Sequence, residues 1–321
     1  MTAAPQMVDV VVTDIADIAE GIKSYRLAPL AGGPLPSFSA GAHILLEMRD
    51  GAVLRRSAYS LTGSLNGAGN YTIAVRRHAQ GRGGSVFLHD RVHVGSKLAV
   101  GHPVNLFPLH RRARKHLLIA GGIGITPLLA MAAELTMEAR AFELHYAVRS
   151  RDHAAFADQL AGMCGDNLHL YISAEGRRLD TATLLGDQPL GTHLYVCGPE
   201  ALTEDILAGA RGLGWPEESL HSERFVAPAI GGAYEVTLAK SGVTVAVGSH
   251  QSMLDALEHA GVDVPSLCRG GACGQCETRV VACDGIIQHH DHYLSEADKA
   301  ATGKVMPCVS RFEGRRLVLD L

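Results

Sequence analysis

The stretch Cys268-Arg-Gly-Gly-Ala-Cys273-Gly-Gln-Cys276 lies near the C-terminus and is followed at a distance by Cys308. Its spacing, Cys-x4-Cys-x2-Cys and then a distant fourth cysteine, is typical of a plant-type 2Fe-2S cluster. The intervening glycines suit a loop that wraps tightly and turns backbone N–H groups toward the cluster sulfurs. A structural zinc site is the alternative, but such sites usually pair their ligands in two short Cys-x2-Cys knuckles, and here there is one. We therefore predict Cys268, Cys273, Cys276 and Cys308 as metal ligands.

The remaining cysteines are Cys164, Cys197 and Cys283. Seven cysteines in 321 residues are too few and too clustered for a disulfide framework, so we expect buried free thiols. Cys283 is the one rival for the fourth ligand position. It follows Cys276 closely, on the strand expected to leave the loop, and this position disfavours it.

Bulk composition excludes several classes of protein. The chain is long enough for two or three domains, and 47% apolar with 19% charged residues describes a globular protein. A formal net charge of -4 argues against a nucleic-acid partner. The longest apolar run, 117–133, contains three glycines and Pro127, so it predicts strand, turn and helix and not a membrane span. The start of the chain lacks the pattern of a signal peptide. We expect a cytoplasmic monomer.

The first hundred or so residues read as closely spaced short strands with Gly, Pro and Asn breaks, which predicts an antiparallel barrel. The strands are expected at 8–12, 22–27, 43–48, 58–62, 71–77 and 97–100. Within this region Gly81-Arg-Gly-Gly-Ser85 precedes a short predicted helix. A glycine-rich turn before a helix exposes N–H donors, so it suits a phosphate, although a plain surface loop explains it equally well.

From residue 116 the pattern changes to alternating strands and helices, which predicts a doubly wound parallel sheet. Strands are expected at 117–120, 142–148, 168–172 and 193–197, and helices at 128–135, 154–163 and 200–211. Ligands of such sheets bind at the carboxyl ends of the strands. Two motifs fall there: Gly121-Gly-Ile-Gly-Ile-Thr-Pro127 and Cys197-Gly-Pro199.

The C-terminal region follows an apparent linker at 227–232. A strand pair at 234–239 and 243–247, a helix at 252–260, the cysteine loop and a closing strand at 317–321 make a module of ferredoxin size.

These motifs together resemble the phthalate dioxygenase reductase family, which includes vanillate O-demethylase and carnitine monooxygenase reductases. The likeness covers nearly the whole chain. The motifs that carry it are Ala58-Tyr-Ser-Leu61, Ala74-Val-Arg-Arg77, Gly81-Arg-Gly-Gly-Ser85, the four cysteines, and the two motifs at the carboxyl edge of the parallel sheet, Gly121–Pro127 and Cys197-Gly-Pro199, which are called the nucleotide-edge motifs below. The resemblance implies three domains. They are an FMN-binding antiparallel β-barrel at 1–110, an NAD(H)-binding α/β domain with a doubly wound parallel sheet at 111–226, and an α+β β-grasp 2Fe-2S ferredoxin domain at 234–321.

The resemblance also implies cofactor-binding residues. For FMN they are Tyr59, Ser60, Ala74, Val75, Arg76, Gly81, Arg82, Gly83, Gly84 and Ser85. For the nicotinamide nucleotide they are Gly121, Gly122, Gly124, Thr126, Cys197, Gly198 and Pro199, with Phe225 near the flavin ring and the hydride relay near Thr126 and Phe225. The family motif usually has arginine where this chain has Ser57. The adjacent Arg56 should point to the opposite face of its strand, so we assign it no flavin contact.

Charged residues that follow two successive predicted strands bear on the choice between NADH and NADPH. Arg149 and Arg151 follow one strand, and Glu175 follows the next. Either arginine suits a diphosphate or a ribose phosphate, whereas a carboxylate at this edge binds ribose hydroxyls and repels a 2′-phosphate. The arrangement favours NADH.

The function implied is the reductase component of a two-component Rieske non-haem iron oxygenase or demethylase. Hydride passes from NADH to FMN, and single electrons reach the oxygenase through the cluster. The alternatives are a reductase for a diiron hydroxylase and a non-catalytic iron–sulfur carrier or sensor. Arg269 and Arg279 flank the cysteine loop and are candidates for steering the partner, although solvated surface charges are commoner. His289-His-Asp-His292 is a candidate metal site, but a surface turn is the better explanation, because consecutive residues seldom converge on one ion.

Overall fold

The computed structural model describes residues 7–51, 53–63, 69–79, 81, 83–225 and 231–321. They form two compact units. The first consists of Met7–His78 and Ser85–Phe225, and the second of 231–321 together with the described residues of 79–84. Within these ranges, no helix has the length and apolar character needed to cross a bilayer.

The first unit begins with an antiparallel barrel. Its strands are β1 (Met7–Ala19), β2 (Ile22–Pro29), β3 (Ala42–Asp50), β4 (Val53–Ser60), β5 (Tyr71–Arg76), β6 (Lys97–Gly101) and β7 (Val104–Asn105), with helix α1 (Gly84–Arg91) before β6. They are ordered β4-β3-β6-β1-β2-β5, and β7 pairs with β3. An antiparallel bridge between Leu61 and Ile73 joins the end of β4 to β5 and so closes the barrel. Alternate residues such as Val10 and Val12 fill its core.

A five-stranded parallel sheet makes up the rest of the first unit. Its strands are β8 (Lys115–Gly121), β9 (Phe142–Val148), β10 (Leu168–Ile172), β11 (Thr192–Cys197) and β12 (Leu220–Glu223), and its helices are α2 (Ile125–Met137), α3 (Ala157–Cys164), α4 (Thr181–Gly186) and α5 (Glu200–Gly212). The order β10-β9-β8-β11-β12 reverses direction at β8, so the topological switch point lies between β8 and β11.

The apolar run of β8 follows from burial on both faces of the sheet. Leu118 and Ala120 belong to the core formed with α2 and α3, whereas Leu117 and Ile119 belong to the core formed with α5. A strand covered on both faces needs continuous apolar residues instead of alternation. Helices on both faces make the sheet doubly wound.

The second unit is a mixed sheet with one helix packed on it. Its elements are β13 (Tyr234–Leu238), β14 (Thr244–Val247), α6 (Met253–His259), β15 (Thr278–Gln288), α7 (Glu296–Ala300), β16 (Lys304–Val305) and β17 (Arg311–Leu319). The order is β14-β13-β17-β15-β16, with β13 and β17 parallel and the other pairs antiparallel. Met253, Leu254 and Leu257 of α6 enter the core beside β13 and β17. This is the β-grasp arrangement.

The fold class predicted from the sequence is confirmed: a barrel, a doubly wound sheet and a β-grasp module in this order. Five of the helices and strands in the described residues were missed, namely the short helices α4 and α7 and the short strands β7, β12 and β16. β12 has four residues, Leu-His-Ser-Glu, and lacks an apolar pattern. The closing strand, β17, begins at Arg311, six residues earlier than predicted, and its first half includes an exposed polar stretch at 313–316 that shows no strand pattern. In the sheet it lies between β13 and β15.

Candidate functional site

The four cysteines of the predicted cluster lie in the second unit as two pairs of thiols. Cys276 Sγ is 3.2 Å from Cys308 Sγ, and the Cys273 thiol donates a hydrogen bond to the Cys268 sulfur. Cys276 and Cys308 are 2% and 1% exposed. In the part of the chain that the structure describes, no three His, Cys, Asp or Glu side chains group around a single-ion position. Two pairs suit two irons, each with two protein ligands, and therefore fit a 2Fe-2S cluster.

Hydrogen bonds in the loop favour thiolates. The Cys273 thiol, together with the N–H groups of Gly270 and Ala272 at 3.4 Å from the sulfur, lowers the pKa of Cys268 to about 5. In the other pair, a hydrogen shared with Cys308 lowers the pKa of Cys276 and raises that of Cys308. One sulfur of each pair is thus stabilised as the anion, which is the form that binds metal.

The cysteine loop is held in place by the segment around Asp291, for which no contact with the loop was predicted. Gly271 has φ +73°, and a Cβ there would lie 2.9 Å from Asp291 Cα. Asp291 is 2% exposed and accepts a 2.8 Å hydrogen bond from Leu294 N, while His292 N donates to Gly271 O at 3.0 Å. The interpretation of 289–292 as a surface turn is therefore wrong for Asp291, which packs against the cysteine loop.

Arg269 is buried instead of exposed, so its predicted role in steering a partner is wrong. Its side chain is 2% exposed and forms ion pairs with Glu258 and with Asp255, the latter at 2.9 Å. Asp255 in turn accepts a 2.6 Å hydrogen bond from Ser252, the N-cap of α6. Arg269 also has φ +50°, an uncommon conformation for a side-chain-bearing residue. This network fixes the cysteine loop to α6.

We expect Arg269→Met to loosen the cysteine loop. Removing one partner of a buried ion pair costs about 3–5 kcal/mol, so the midpoint for thermal loss of the cluster's visible absorbance should fall by roughly 10 °C or more. Arg279→Met is the matched control, because Arg279 flanks the same loop and is exposed. Equal midpoints for the two variants would contradict this role of Arg269.

Cys283 lies apart from the thiol pairs. It is half-buried on β15, its thiol donates to Gly285 O at 3.5 Å, and burial raises its pKa. The structure places Cys308, and not Cys283, against Cys276.

The two nucleotide-edge motifs come together at the switch point of the parallel sheet. A Cβ on Gly124 would overlap the carbonyl of Cys197, and one on Gly198 would lie 3.0 Å from Gly121 N and Cα. Only glycine lets these backbones approach so closely. The Cys197 side chain is fully buried in the core, and burial raises its pKa well above the ordinary value. Cys197 can therefore contribute to a nucleotide site only through its backbone.

The turn before α2 offers backbone donors at this point. A 3-10 turn, Gly122–Gly124, leads directly into α2, whose N-cap Gly124 provides no side-chain hydrogen bond. The N–H of Ile125, the first residue of α2, donates back to the carbonyls of Gly122 and Ile123, so the candidate donors for a ligand are the N–H groups that open the 3-10 turn. N–H groups in such a position bind phosphate well. Thr126 is 2% exposed and donates to Ile123 O at 3.0 Å, so its hydroxyl closes the turn. Pro199 is exposed beside this edge.

The predicted flavin residues of the barrel gather at the ends of β4 and β5. Ser60 is buried and Tyr59 packs partly against the barrel core. Ala74 belongs to a small apolar cluster with Ala155 and Ile123 of the sheet domain. The end of β5 and the turn after β8 therefore lie against the same cluster. Val75 is buried and Arg76 is exposed.

Arg56 lies on the face of β4 opposite to Ser57, as the alternation of side chains along a strand predicts. It pairs with Glu47 at 3.0 Å, directly across from it on β3. Ser57 lies on the other face of β4 and is half-buried.

The glycine-rich turn leads into α1, longer than the helix predicted from the sequence. Ser85 Oγ accepts from His78 N at 3.0 Å and so holds the start of the helix. Gly81, Gly83 and Gly84 group with the second unit, and Arg82 lies outside the described residues. At the other end of the first unit, Phe225 is 48% exposed.

Stacked histidines in the first unit were not anticipated. His193 Nδ1 is 2.9 Å from His221 Nε2, and the His110 ring stacks on His193 at 4.1 Å. His221 also stacks on Tyr195 at 4.5 Å. Burial and the neighbouring imidazoles lower the pKa of His221 to about 4, and burial beside His169 lowers that of His145 to about 4.

Acid should therefore destabilise the parallel sheet. Because the folded pKa values of about 4 lie below the ordinary 6.5, the unfolded chain binds more protons between these values. Stability is full above about pH 6.5 and falls as pH decreases toward 4, by on the order of 1–2 kcal/mol after allowance for solvent screening. Urea unfolding followed by fluorescence of Trp215, the single tryptophan, measures this.

The control for this prediction compares two histidine variants. His221→Phe keeps the aromatic stack and should reduce the pH dependence, whereas the same change at the exposed His102 should leave it unaltered. An unfolding midpoint that stays constant from pH 7 to 5 in the wild-type protein would contradict the prediction.

Comparison with protein families matches two regions. Residues 103–220 match "Dimethylamine monooxygenase subunit DmmA-like, N-terminal domain". Residues 236–313 match "2Fe-2S iron-sulfur cluster binding domain", and this range contains all four cysteines of the two thiol pairs.

Similar proteins match over the whole chain. The heme-dependent oxidative N-demethylase beta subunit of Ectopseudomonas mendocina is 45% identical over 98% of this chain and 99% of its own. The carnitine monooxygenase reductase subunit of Acinetobacter baumannii is 40% identical over 100% of both chains. Among solved structures, phthalate dioxygenase reductase, described as modular for electron transfer from pyridine nucleotides to 2Fe-2S, matches with TM-score 0.86, 33% identity and 98% coverage of both chains. This protein belongs to the phthalate dioxygenase reductase family.

Proposed function

We propose that this protein is the NADH-dependent reductase component of an oxygenase or demethylase, with FMN and a 2Fe-2S cluster as cofactors. The observation that carries the proposal is the arrangement of four cysteines as two thiol pairs inside the region matching the 2Fe-2S domain. When bound, NADH supplies a hydride, FMN takes two electrons and releases them singly, and the cluster carries one at a time. Because these steps are hydride and electron transfers, no side chain is required as a general acid or base. The side chains bind and orient the cofactors and shield them from water.

The hydride half of the site is assigned to the switch point of the parallel sheet. Backbone N–H groups that open the 3-10 turn before α2 would hold the diphosphate of NADH, and the close approach of Gly124 to Cys197 shapes the cleft. The residues proposed for this role are Gly121, Gly122, Gly124, Thr126, Cys197, Gly198 and Pro199, with Arg149 and Glu175 toward the ribose and Phe225 toward the flavin.

The flavin and cluster residues remain those implied by the sequence. For FMN we propose Tyr59, Ser60, Ala74, Val75, Arg76 and 81–85. For the cluster we propose Cys268, Cys273, Cys276 and Cys308, each thiol pair holding one iron. The proposed domain limits are 1–110, 111–226 and 234–321, and a cytoplasmic location suits thiolates that must stay reduced.

The electron acceptor is an oxygenase component, for which we propose the Rieske non-haem type acting on a methylated nitrogen compound. A haem-containing oxygenase is the second candidate. The relative at 45% identity is a subunit of a heme-dependent N-demethylase, and residues 103–220 match a dimethylamine monooxygenase family. Either kind of oxygenase would oxidise a compound that carries a methylated nitrogen.

Two measurements test the proposal. Anaerobic mixing of the purified protein with NADH should bleach the flavin first and the cluster absorbance second, and chromatography after denaturation should recover FMN. Flavin reduction without any cluster reduction would refute the relay. Mixing the reduced protein with a Rieske component or with a haem-containing N-demethylase subunit identifies the acceptor by which of the two is reduced.

A further inference from the structure

The carboxyl edge of the parallel sheet carries an ion pair between Arg151 and Glu175. Arg151 lies in the turn after β9 and Glu175 in the turn after β10. Arg151 Nε is 2.8 Å from one carboxylate oxygen, and Nη2 is 3.3 Å from the other. The two parallel hydrogen bonds occupy both oxygens and one side of the guanidinium.

This pair lies where the adenosine ribose of a dinucleotide binds. In doubly wound sheets the diphosphate lies at the switch point and the ribose toward the ends of the next strands, which here are β9 and β10. The ends of these strands are tied together, since Ala174 N donates to Arg149 O at 2.9 Å. The Arg151 and Glu175 side chains are 67% and 38% exposed, so a ligand can reach them.

We propose that Glu175 sets the preference for NADH over NADPH by occupying the guanidinium of Arg151. A 2′-phosphate is recognised by an arginine that offers two N–H groups together. While Glu175 holds those groups, the pair is neutral and Arg151 cannot offer them to the phosphate. This inference rests on the proposed function as an NADH-dependent reductase and adds Arg151 as a specificity residue.

Other charged groups lie at the same edge as Arg151. Arg177 donates to Leu170 O at 2.9 Å and so is directed at the sheet backbone. Asp152 adds negative charge next to Arg151. Arg149 is exposed at the same edge and stays unchanged in every variant below, so its effect cancels from each comparison.

A double-mutant cycle separates this mechanism from direct repulsion of the phosphate by Glu175. Calorimetry on the full-length holoenzyme measures the affinity for adenosine 2′,5′-bisphosphate relative to adenosine 5′-monophosphate. Glu175→Gln should raise this ratio roughly tenfold, because Arg151 becomes free to bind the 2′-phosphate. Adding Arg151→Ala should erase the gain. The ratio of the KM for NADPH to the KM for NADH should fall in Glu175→Gln, because a lower KM accompanies tighter binding, and it should return toward the wild-type value in the double variant.

Glu217→Gln is the matched control. Glu217 forms an equally bidentate exposed pair with Arg211, at 2.6 and 3.1 Å, before β12 at the opposite edge of the sheet. It should leave the affinity ratio unchanged. An unaltered ratio in Glu175→Gln, or a gain that survives in the double variant, would overturn the inference alone. A wild-type protein whose flavin is not reduced by NADH would overturn the proposed function and this inference with it.

Discussion

Cys308→Ser should abolish the 2Fe-2S cluster while NADH still reduces the bound flavin. Cys308 is buried with its sulfur 3.2 Å from that of Cys276, so its loss leaves one iron with a single thiolate ligand. A serine hydroxyl is a poor substitute, because it remains protonated and lacks the soft character of sulfur. Iron and acid-labile sulfide should fall to near zero, and the electron paramagnetic resonance signal of the dithionite-reduced protein should disappear.

The matched control is Cys283→Ser. Both cysteines follow the cysteine loop in the sequence and are candidates for the fourth ligand by position, but the Cys283 thiol donates to the Gly285 carbonyl. This variant should keep its full iron content. Retention of iron by Cys308→Ser, or its loss from Cys283→Ser, would show that the assignment of the fourth ligand is wrong.

The cysteine spacing could predict the cluster loop because the constraint is local. Three ligands within nine residues and the glycines between them already define the geometry that the loop must adopt. The central strands of the parallel sheet were equally accessible, since β8 and β11 are buried along nearly their whole length and carry apolar runs. Element type follows from such runs, whereas β12 was missed because polar residues interrupt it.

Long-range polar contacts could not be predicted in the same way. Arg269 meets Asp255 and Glu258, which lie more than ten residues earlier on α6, and nothing in the loop itself indicates whether the side chain turns inward or outward. The acidic residues spaced three apart on one face of α6 were a usable signal, since they form a surface that requires a cation. Likewise, the Arg151–Glu175 pair depends on β9 and β10 being neighbours, which the sequence pattern alone does not specify.

Gly124→Ala should impair nucleotide binding by the first unit and leave the cluster intact. A Cβ at this position would overlap the Cys197 carbonyl and approach Gly198 N at 2.8 Å, and all of these obstacles are backbone atoms. Because neither β11 nor the turn after β8 can move without disturbing the buried sheet, we expect destabilisation of about 1–3 kcal/mol or more. The donors of the 3-10 turn before α2 would also shift, so NADH affinity should fall at least roughly tenfold.

The control for Gly124→Ala is Gly162→Ala, within α3 of the same domain. Among the residues that the structure describes, no atom outside α3 lies within 4 Å of a Cβ built on Gly162, so alanine there should be neutral or stabilising by up to about 1 kcal/mol. Stopped-flow flavin reduction at varied NADH concentrations gives the apparent dissociation constant, and Trp215 fluorescence during urea unfolding gives the stability of the domain. The cluster absorbance serves as an internal reference, because the cysteines belong to the other unit. If Gly124→Ala bound NADH as tightly as Gly162→Ala, the close approach of the two backbones would not be what shapes the nucleotide site.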